Sequence, residues 1–438
     1  MRINSPLIAL SVLFCALNIT QAQSQDGSPG PETRPRTVRS EVSRREASAP
    51  AQQKTAAPQP KPGAVENTVV APRANTSAES ESDIEPGDAN ATSAQQIAPS
   101  TIRARIAEAE RLLRTRPRQT AITSPILDSV TLAVLDRSAA RIHLLTVSKQ
   151  IFLTKGSEVA MTTSRGTPVT LRILRANGVN TAVTVVDNQG RSLVPLTVEF
   201  PIERQGVFRE MAYYTSAHPA LLSAELVKSG RAYIRSIVDL AAQRLREKGV
   251  FINPNLLDVA ERLAVVEHID HDRFRLENRV ALFDEIYSLY ALNQLDTYRY
   301  SVSFAGAGGM AQMIPWAYNL ERQRHPGVGL MPDFVAGMRN HANALQAMLL
   351  YMQDTWNDLA ANGEVRSALE TKIATPAEVM AAGYNSNAAK LPLYIRRGGT
   401  GWRSLIPRET QVYLQIYHTF EGLVPMKSRA SVVTKSAD

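Results

Sequence analysis

Asn253-Pro254-Asn255-Leu256-Leu257-Asp258-Val259-Ala260-Glu261-Arg262-Leu263-Ala264-Val265-Val266-Glu267-His268 is the stretch from which the rest of the chain is read. Asn253 is a favourable N-cap. Pro254 suits the first helical position, where its missing N–H would have no partner anyway. Leu256, Ala260, Leu263 and Ala264 recur three and four apart and so form one apolar stripe. Glu267 falls on the same stripe, three positions beyond Ala264 and four beyond Leu263. Its carboxylate has two readings. On a buried stripe, desolvation raises its pKa, so it holds a proton near neutrality and can act as a general acid. At a frayed helix end it turns to solvent or pairs with an arginine. The pattern alone leaves both open.

Helical periodicity continues on both sides. Leu221–Val227, Ala232–Leu245, Leu282–Leu292 and Asn340–Leu359 are helix-length segments, separated by breakers such as Lys248-Gly249, His325-Pro326-Gly327 and Arg397-Gly398-Gly399. Residues 206–425 are therefore expected to form a mainly α domain, and 426–438 a frayed tail. Upstream the period changes to two. Val130, Leu132 and Val134 alternate, as do Val169, Leu171 and Ile173, with turn signals at Asn177-Gly178 and Asp187-Asn188-Gln189-Gly190. This predicts a small antiparallel β domain over 121–205, with no chemical constellation of its own. Ile102, Ile106, Leu112 and Leu113 predict a short helix within 101–120 that Pro117 ends. Residues 23–100 contain no Leu, Met or aromatic residue and are rich in Pro, Ala and Ser. Such a segment cannot bury enough apolar surface to offset its ordering entropy, and it reads as a disordered tether. The expected fold class is thus multidomain.

At the start, Met1-Arg2, the apolar run Leu7–Leu17 and Thr20-Gln21-Ala22 read as a secretory signal peptide over 1–22, cleaved after Ala22. The run is too short for a comfortable membrane span, and no later stretch is long and apolar enough for one. Cys15 is the one cysteine. It follows Phe14, where a lipidation signal wants a small residue. A cleaved chain would carry no cysteine, which excludes a disulfide framework and a cysteine-based metal cluster. Lys+Arg 49 against Asp+Glu 41 over 438 residues gives +8. That favours polyanionic surroundings but is too mild to argue for nucleic acid.

Four features carry candidate chemistry. His268 and His271, within Glu267-His268-Ile269-Asp270-His271-Asp272, place donors three and four apart. No His-Glu-x-x-His order is present and no second cluster answers it, so no metal is assigned. Ser303-Phe304-Ala305-Gly306-Ala307-Gly308-Gly309-Met310-Ala311-Gln312-Met313-Ile314-Pro315 has small residues that allow close backbone approach, and a glutamine amide. It has neither the Gly-x-Gly-x-x-Gly spacing of a dinucleotide site nor the Gly-Lys-Ser of a P-loop; alone, it can equally be a helix-packing turn. Ala381-Ala382-Gly383-Tyr384-Asn385-Ser386-Asn387 offers an aromatic and amides for a sugar, or simply a helix start. Glu409-Thr410-Gln411-Val412-Tyr413-Leu414-Gln415-Ile416 is by itself an amphipathic helix.

In this order, the features resemble the lytic transglycosylase family with the soluble-transglycosylase, lysozyme-like domain. In that family a glutamate at a helix end precedes Ser-x-x-Gly-Ala-x-Gly-Leu-Met-Gln-x-Met-Pro. Residues 303–315 match it without gaps, with Met310, Ala311 and Ile314 as apolar replacements. Gly383-Tyr384-Asn385 resembles the family's Ala-Tyr-Asn, and Glu409 to Tyr413 its Glu-Thr-x-x-Tyr. The resemblance covers roughly Leu256 to Leu423. It implies a lysozyme-like fold and cleavage of the β-1,4 bond between N-acetylmuramic acid and N-acetylglucosamine in peptidoglycan, with 1,6-anhydro products. It implies Glu267 as the single catalytic residue and Ser303, Gly306, Ala307, Gly309, Met310, Gln312, Tyr384 and Asn385 as substrate contacts. It implies no cofactor and peptidoglycan glycan strands as the partner, and leaves room for an envelope protein on the β domain; the expected signal peptide gives the location as periplasmic. The chain departs from the family in two places. His268 stands where a serine usually follows the glutamate, and Glu267 lies 36 positions before Ser303, which requires an inserted segment containing Leu282–Leu292. Glu285 lies in that insert and is the competing catalytic candidate. The alternative function is a noncatalytic peptidoglycan-binding or cell-envelope scaffold protein.

Overall fold

Residues 129–214 build one seven-stranded sheet in which every pairing is antiparallel. The computed structural model describes residues 98–116, 127–204, 206–215, 218–297 and 306–429. The expected signal peptide, the expected tether up to residue 97, Ser303 and residues 430–438 lie outside them. Helix α1 (Pro99–Thr115) comes first. Strands β1 (Ser129–Asp136) and β2 (Arg141–Ser148), the single turn α2 (Lys149–Phe152), then β3 (Glu158–Thr162), β4 (Pro168–Arg175), β5 (Ala182–Asp187), β6 (Ser192–Arg204) and β7 (Val207–Tyr214) follow. Their order is β2-β1-β6-β5-β4-β3, with β7 also on β6. The long β6 meets β5 at its start, β1 in its middle and β7 at its end, and the sheet curls around it as a half-barrel.

The sheet runs about ten residues past the expected boundary at 205, because β7 continues the meander before the helices begin. The turn signals act as expected. Asp187 Oδ1 accepts from the backbone N–H of Gln189 and Arg191, and Gly190 takes the left-handed conformation at φ 76° that closes the β5–β6 hairpin. Strand β1 is buried on both faces. Val130, Leu132 and Val134 join a core shared with the helices, while Ala133 and Leu135 meet Ile102, Ile106, Ala109 and Leu113 of α1. The side-chain period of two thus serves two separate interfaces.

The α-helices that follow among the described residues are α3 (Ala224–Glu247), α4 (Pro254–Val266), α5 (His271–Leu276), α6 (Arg279–Leu292), α7 (Pro315–Arg324), α8 (Phe334–Arg339), α9 (His341–Ala361), α10 (Gly363–Glu370), α11 (Pro376–Asn385), α12 (Leu391–Gly398) and α13 (Arg408–Leu423). Helix α3 joins two segments that the sequence pattern separates. It packs on α6 so closely that a Cβ on Gly230 would lie inside the carbonyl of Tyr287. Ile234, Ile237 and Val238 of α3 and Phe200 and Ile202 of β6 belong to one continuous buried core. Ion pairs Arg175–Glu285 and Arg339–Glu210 bridge sheet and helices at 3.3 and 3.0 Å. The chain is thus mixed α/β, and its expected β and α domains share one core among the described residues. No described helix is long and apolar enough to cross a membrane.

Candidate functional site

Helix α4 forms as its capping residues dictate. Asn253 Oδ1 accepts the N–H of Asn255 at 2.9 Å, and Pro254 occupies the first turn. Glu267 is its C-cap, donating its own N–H to the Leu263 carbonyl at 2.9 Å. The apolar stripe is buried, and Glu267 is buried with it at 1% exposure. The hydroxyl of Tyr413 on α13 donates to Glu267 Oε1 at 2.6 Å. Oε2 has no hydrogen-bond partner among the described residues. Burial is the largest influence on this carboxyl and disfavours its charged form. The hydrogen bond from Tyr413 works the other way, and the charge of Glu409, one turn before Tyr413, adds to the burial effect. The net result is a pKa pushed up to about 8, so Glu267 carries a proton at neutral pH.

The loop before α7 makes a tight turn beside it. Gly308 N–H reaches the Met313 carbonyl at 3.1 Å, and Gly309 and Gln312 take φ 68° and 46°. The Gln312 amide Nε2 donates to the Gly309 carbonyl at 2.8 Å, which holds the turn that its own positive φ strains. His268 Nε2 lies 3.0 Å from the Met310 carbonyl, and the Tyr384 hydroxyl donates to the Ala311 carbonyl at 2.7 Å. Tyr290 donates to the Ala264 carbonyl at 2.6 Å, in the last turn of α4. The end of α4, the 306–315 loop, the end of α11 and the middle of α13 therefore meet around Glu267.

Their placement differs from the sequence expectation in detail. Ala307, Gly309, Met310, Gln312 and Tyr384 are buried, and Gly306 is half-buried. Gln312 is engaged with the loop's own backbone. Tyr384-Asn385 closes α11 rather than starting it. The helix starts at Thr375, where Thr375 and Glu378 satisfy each other's backbone N–H in a capping box. Asn385 is 3% exposed, and neither of its amide atoms has a hydrogen-bond partner among the described residues. A buried primary amide left this way is costly, and a polar ligand atom would satisfy it.

Glu285 occupies a different environment. Arg273 grips it with two hydrogen bonds, at 2.9 and 2.8 Å, and Arg175 of β4 approaches at 3.3 Å. Although its burial opposes this, Arg273 and Arg175 together hold its carboxyl below the usual range, so it is ionised and clamps sheet to helix. Around His268 and His271, Asp270 is spent as the N-cap of α5, accepting from Asp272 and Arg273. Among the described residues that cluster does not gather three donors. The reading of the residues missed the partnership of Tyr413 with Glu267. The signal available was the four-residue spacing of Glu409 and Tyr413, which puts both on one face of α13.

Gly309 gives a direct test of the loop. A Cβ there would meet the Met338 carbonyl oxygen at 2.6 Å, in a backbone conformation that L side chains avoid. Gly309→Ala should cost about 2–4 kcal/mol, combining left-handed strain with overpacking. Urea unfolding reads this, and an unchanged midpoint would mean that the turn has some other conformation.

Compared with known protein families, with curated proteins and with solved structures, the chain matches none of them.

Proposed function

We propose that this chain is a periplasmic peptidoglycan lytic transglycosylase with a lysozyme-like catalytic region, tethered through residues 23–100 and working through Glu267. The observation that carries the reading is one carboxyl at a helix end, buried, protonated near neutrality, oriented by Tyr413 through one oxygen and without a partner on the other. A retaining or inverting hydrolase uses two carboxylates flanking the bond. Here the competing carboxylate Glu285 is ionised and held by two arginines, so it is not available as a second such carboxylate. The protonated Glu267 gives its proton to the glycosidic oxygen as the bond to the muramoyl C1 breaks. The carboxylate so formed then takes the proton of the muramoyl 6-hydroxyl, whose oxygen closes on C1. The proton inventory returns to its start and no water is consumed.

Asn385 supplies a buried amide for the acetamido or hydroxyl groups of the sugar, and Gly306 supplies backbone. With Glu267 at 1% exposure, Oε2 must be uncovered as the glycan binds. The same burial, shared by Ala307, Met310, Gln312 and Tyr384, favours a second reading, a noncatalytic peptidoglycan-binding protein. Mass spectrometry of purified sacculi after incubation separates the two. Release of 1,6-anhydro-muropeptides is the expected result. Reducing-end products would mean a hydrolase, and intact sacculi with bound protein would mean the noncatalytic reading.

A further inference from the structure

The sequence pattern assigns no metal, yet a different set of donors converges away from Glu267. Glu321 and His325 lie four apart at the end of α7, so they face the same side. Asp354 projects to them from α9. His325 Nε2 is 3.1 Å from Asp354 Oδ2 and 3.6 Å from Glu321 Oε2. One donor atom from each of the three lies within 4.8 Å of the other two. Zinc bonds imidazole nitrogen and carboxylate oxygen at about 2.0–2.2 Å, which sets tetrahedral ligand–ligand edges of roughly 3.4 Å. The two His325 separations fall on either side of that length. Glu321 is fully buried, whereas the His325 and Asp354 side chains are each about one fifth exposed, at 22% and 23%, so an ion has a route in.

We propose that Glu321, His325 and Asp354 form a divalent transition-metal site, with zinc the ion best suited to one imidazole and two carboxylates, and with water completing the tetrahedron. The ion would fasten the C-terminal end of α7 to α9. Because α7 begins at Pro315, where the 306–315 loop ends, the clasp would anchor the helix that follows that loop. Arg324 is the competing cation. Its guanidinium lies 3.5 Å from Asp354 and 3.9 Å from Glu321, on a side chain 47% exposed and free to swing outward. In the metal-free protein it lies against the two carboxylates as their nearby guanidinium. Zinc binding displaces it.

The test uses the full chain without an affinity tag, stripped with EDTA and titrated with zinc chloride by calorimetry. One zinc per chain should bind, with affinity lowered at least about tenfold by His325→Gln or Asp354→Asn, each losing one of three protein ligands. Arg324→Gln should bind zinc more tightly than wild type, since a competing cation is gone. An arginine that belonged to a purely ionic network would leave no zinc binding to strengthen. In about hundredfold excess over the wild-type Kd, zinc should raise the wild-type Tm by on the order of 5 °C, reversed by EDTA, and raise the His325→Gln Tm by about half of that or less. Absence of stoichiometric zinc binding in wild type, or undiminished binding in His325→Gln and Asp354→Asn alike, overturns the site. Circular dichroism of the metal-free variants shows whether each is folded before titration. The proposal is independent of the transglycosylase reading. Sacculus cleavage well below the Tm should be the same with and without EDTA, so either reading can fail without the other.

Discussion

Glu267→Gln should lower anhydro-muropeptide release by at least about 10²-fold, the scale of a lost general acid–base group. The amide keeps the shape of the side chain, and its carbonyl oxygen can still accept from Tyr413, but it can neither deliver the proton nor take it back. Glu285→Gln is the informative control. Its carboxylate is spent on Arg273 and Arg175, so the substitution should leave catalysis nearly intact below the melting temperature while costing about 2–3 kcal/mol of stability, because partly buried Arg175 loses its counter-charge and Arg273 keeps only Glu277. The two variants thus have opposite signatures, one dead and stable, the other active and weakened. Loss of cleavage in Glu285→Gln with full activity in Glu267→Gln would move the active site. Normal cleavage by both would remove the single-glutamate mechanism.

The second large effect is on the pH dependence of folding. A carboxyl that titrates near 4.5 in the unfolded chain and near 8 in the folded protein keeps a proton in the native state that the unfolded state has already released. Across that window the native state binds more protons, so stability is greatest below about pH 4.5 for this group and declines as pH rises towards 8. At about 1.36 kcal/mol per pH unit, the full difference is on the order of 4–5 kcal/mol. Glu210, pushed up to about 7 chiefly by burial, adds in the same direction. Glu378 acts oppositely and in a different window. Despite its burial, His418, Arg403 and the Thr375 N–H hold it at about 2, so its contribution is present above about pH 4.5 and is lost in acid. Glu267→Gln should therefore flatten the decline between pH 5 and 8 and leave the variant more stable than wild type at pH 8. Urea midpoints measured across this range for both proteins provide the check. Parallel curves would show that Glu267 is not the proton holder that its burial requires.

Several parts of this protein could be read from the chain before any coordinates. The helix from Pro254 is set by local chemistry, an asparagine cap, a proline in the first turn and a 3.6-residue apolar stripe, and such signals depend on neighbours three or four positions away. The β-to-α change of texture and the Asp187–Gly190 turn are local in the same sense. The stripe also put Glu267 among apolar residues, but whether it turned inward or to solvent rested on what lay opposite. Only the tertiary structure supplied α13 and the Tyr413 hydroxyl, 146 positions away along the chain.

Likewise, nothing near Glu285 announces Arg175, 110 positions upstream at the end of β4, which joins Arg273 in holding Glu285 ionised. The end of the sheet was misplaced because β7 owes its strand to pairing with β6 rather than to its own pattern. Gln312 looked like a ligand group because an amide in a glycine-rich stretch has many uses. The backbone strain that binds it to Gly309 exists only in the closed turn. Glu321 and His325 stand in the sequence at helical spacing, but two donors on one turn are commonplace. The third, Asp354, arrives from another helix, and long-range packing alone could bring it there.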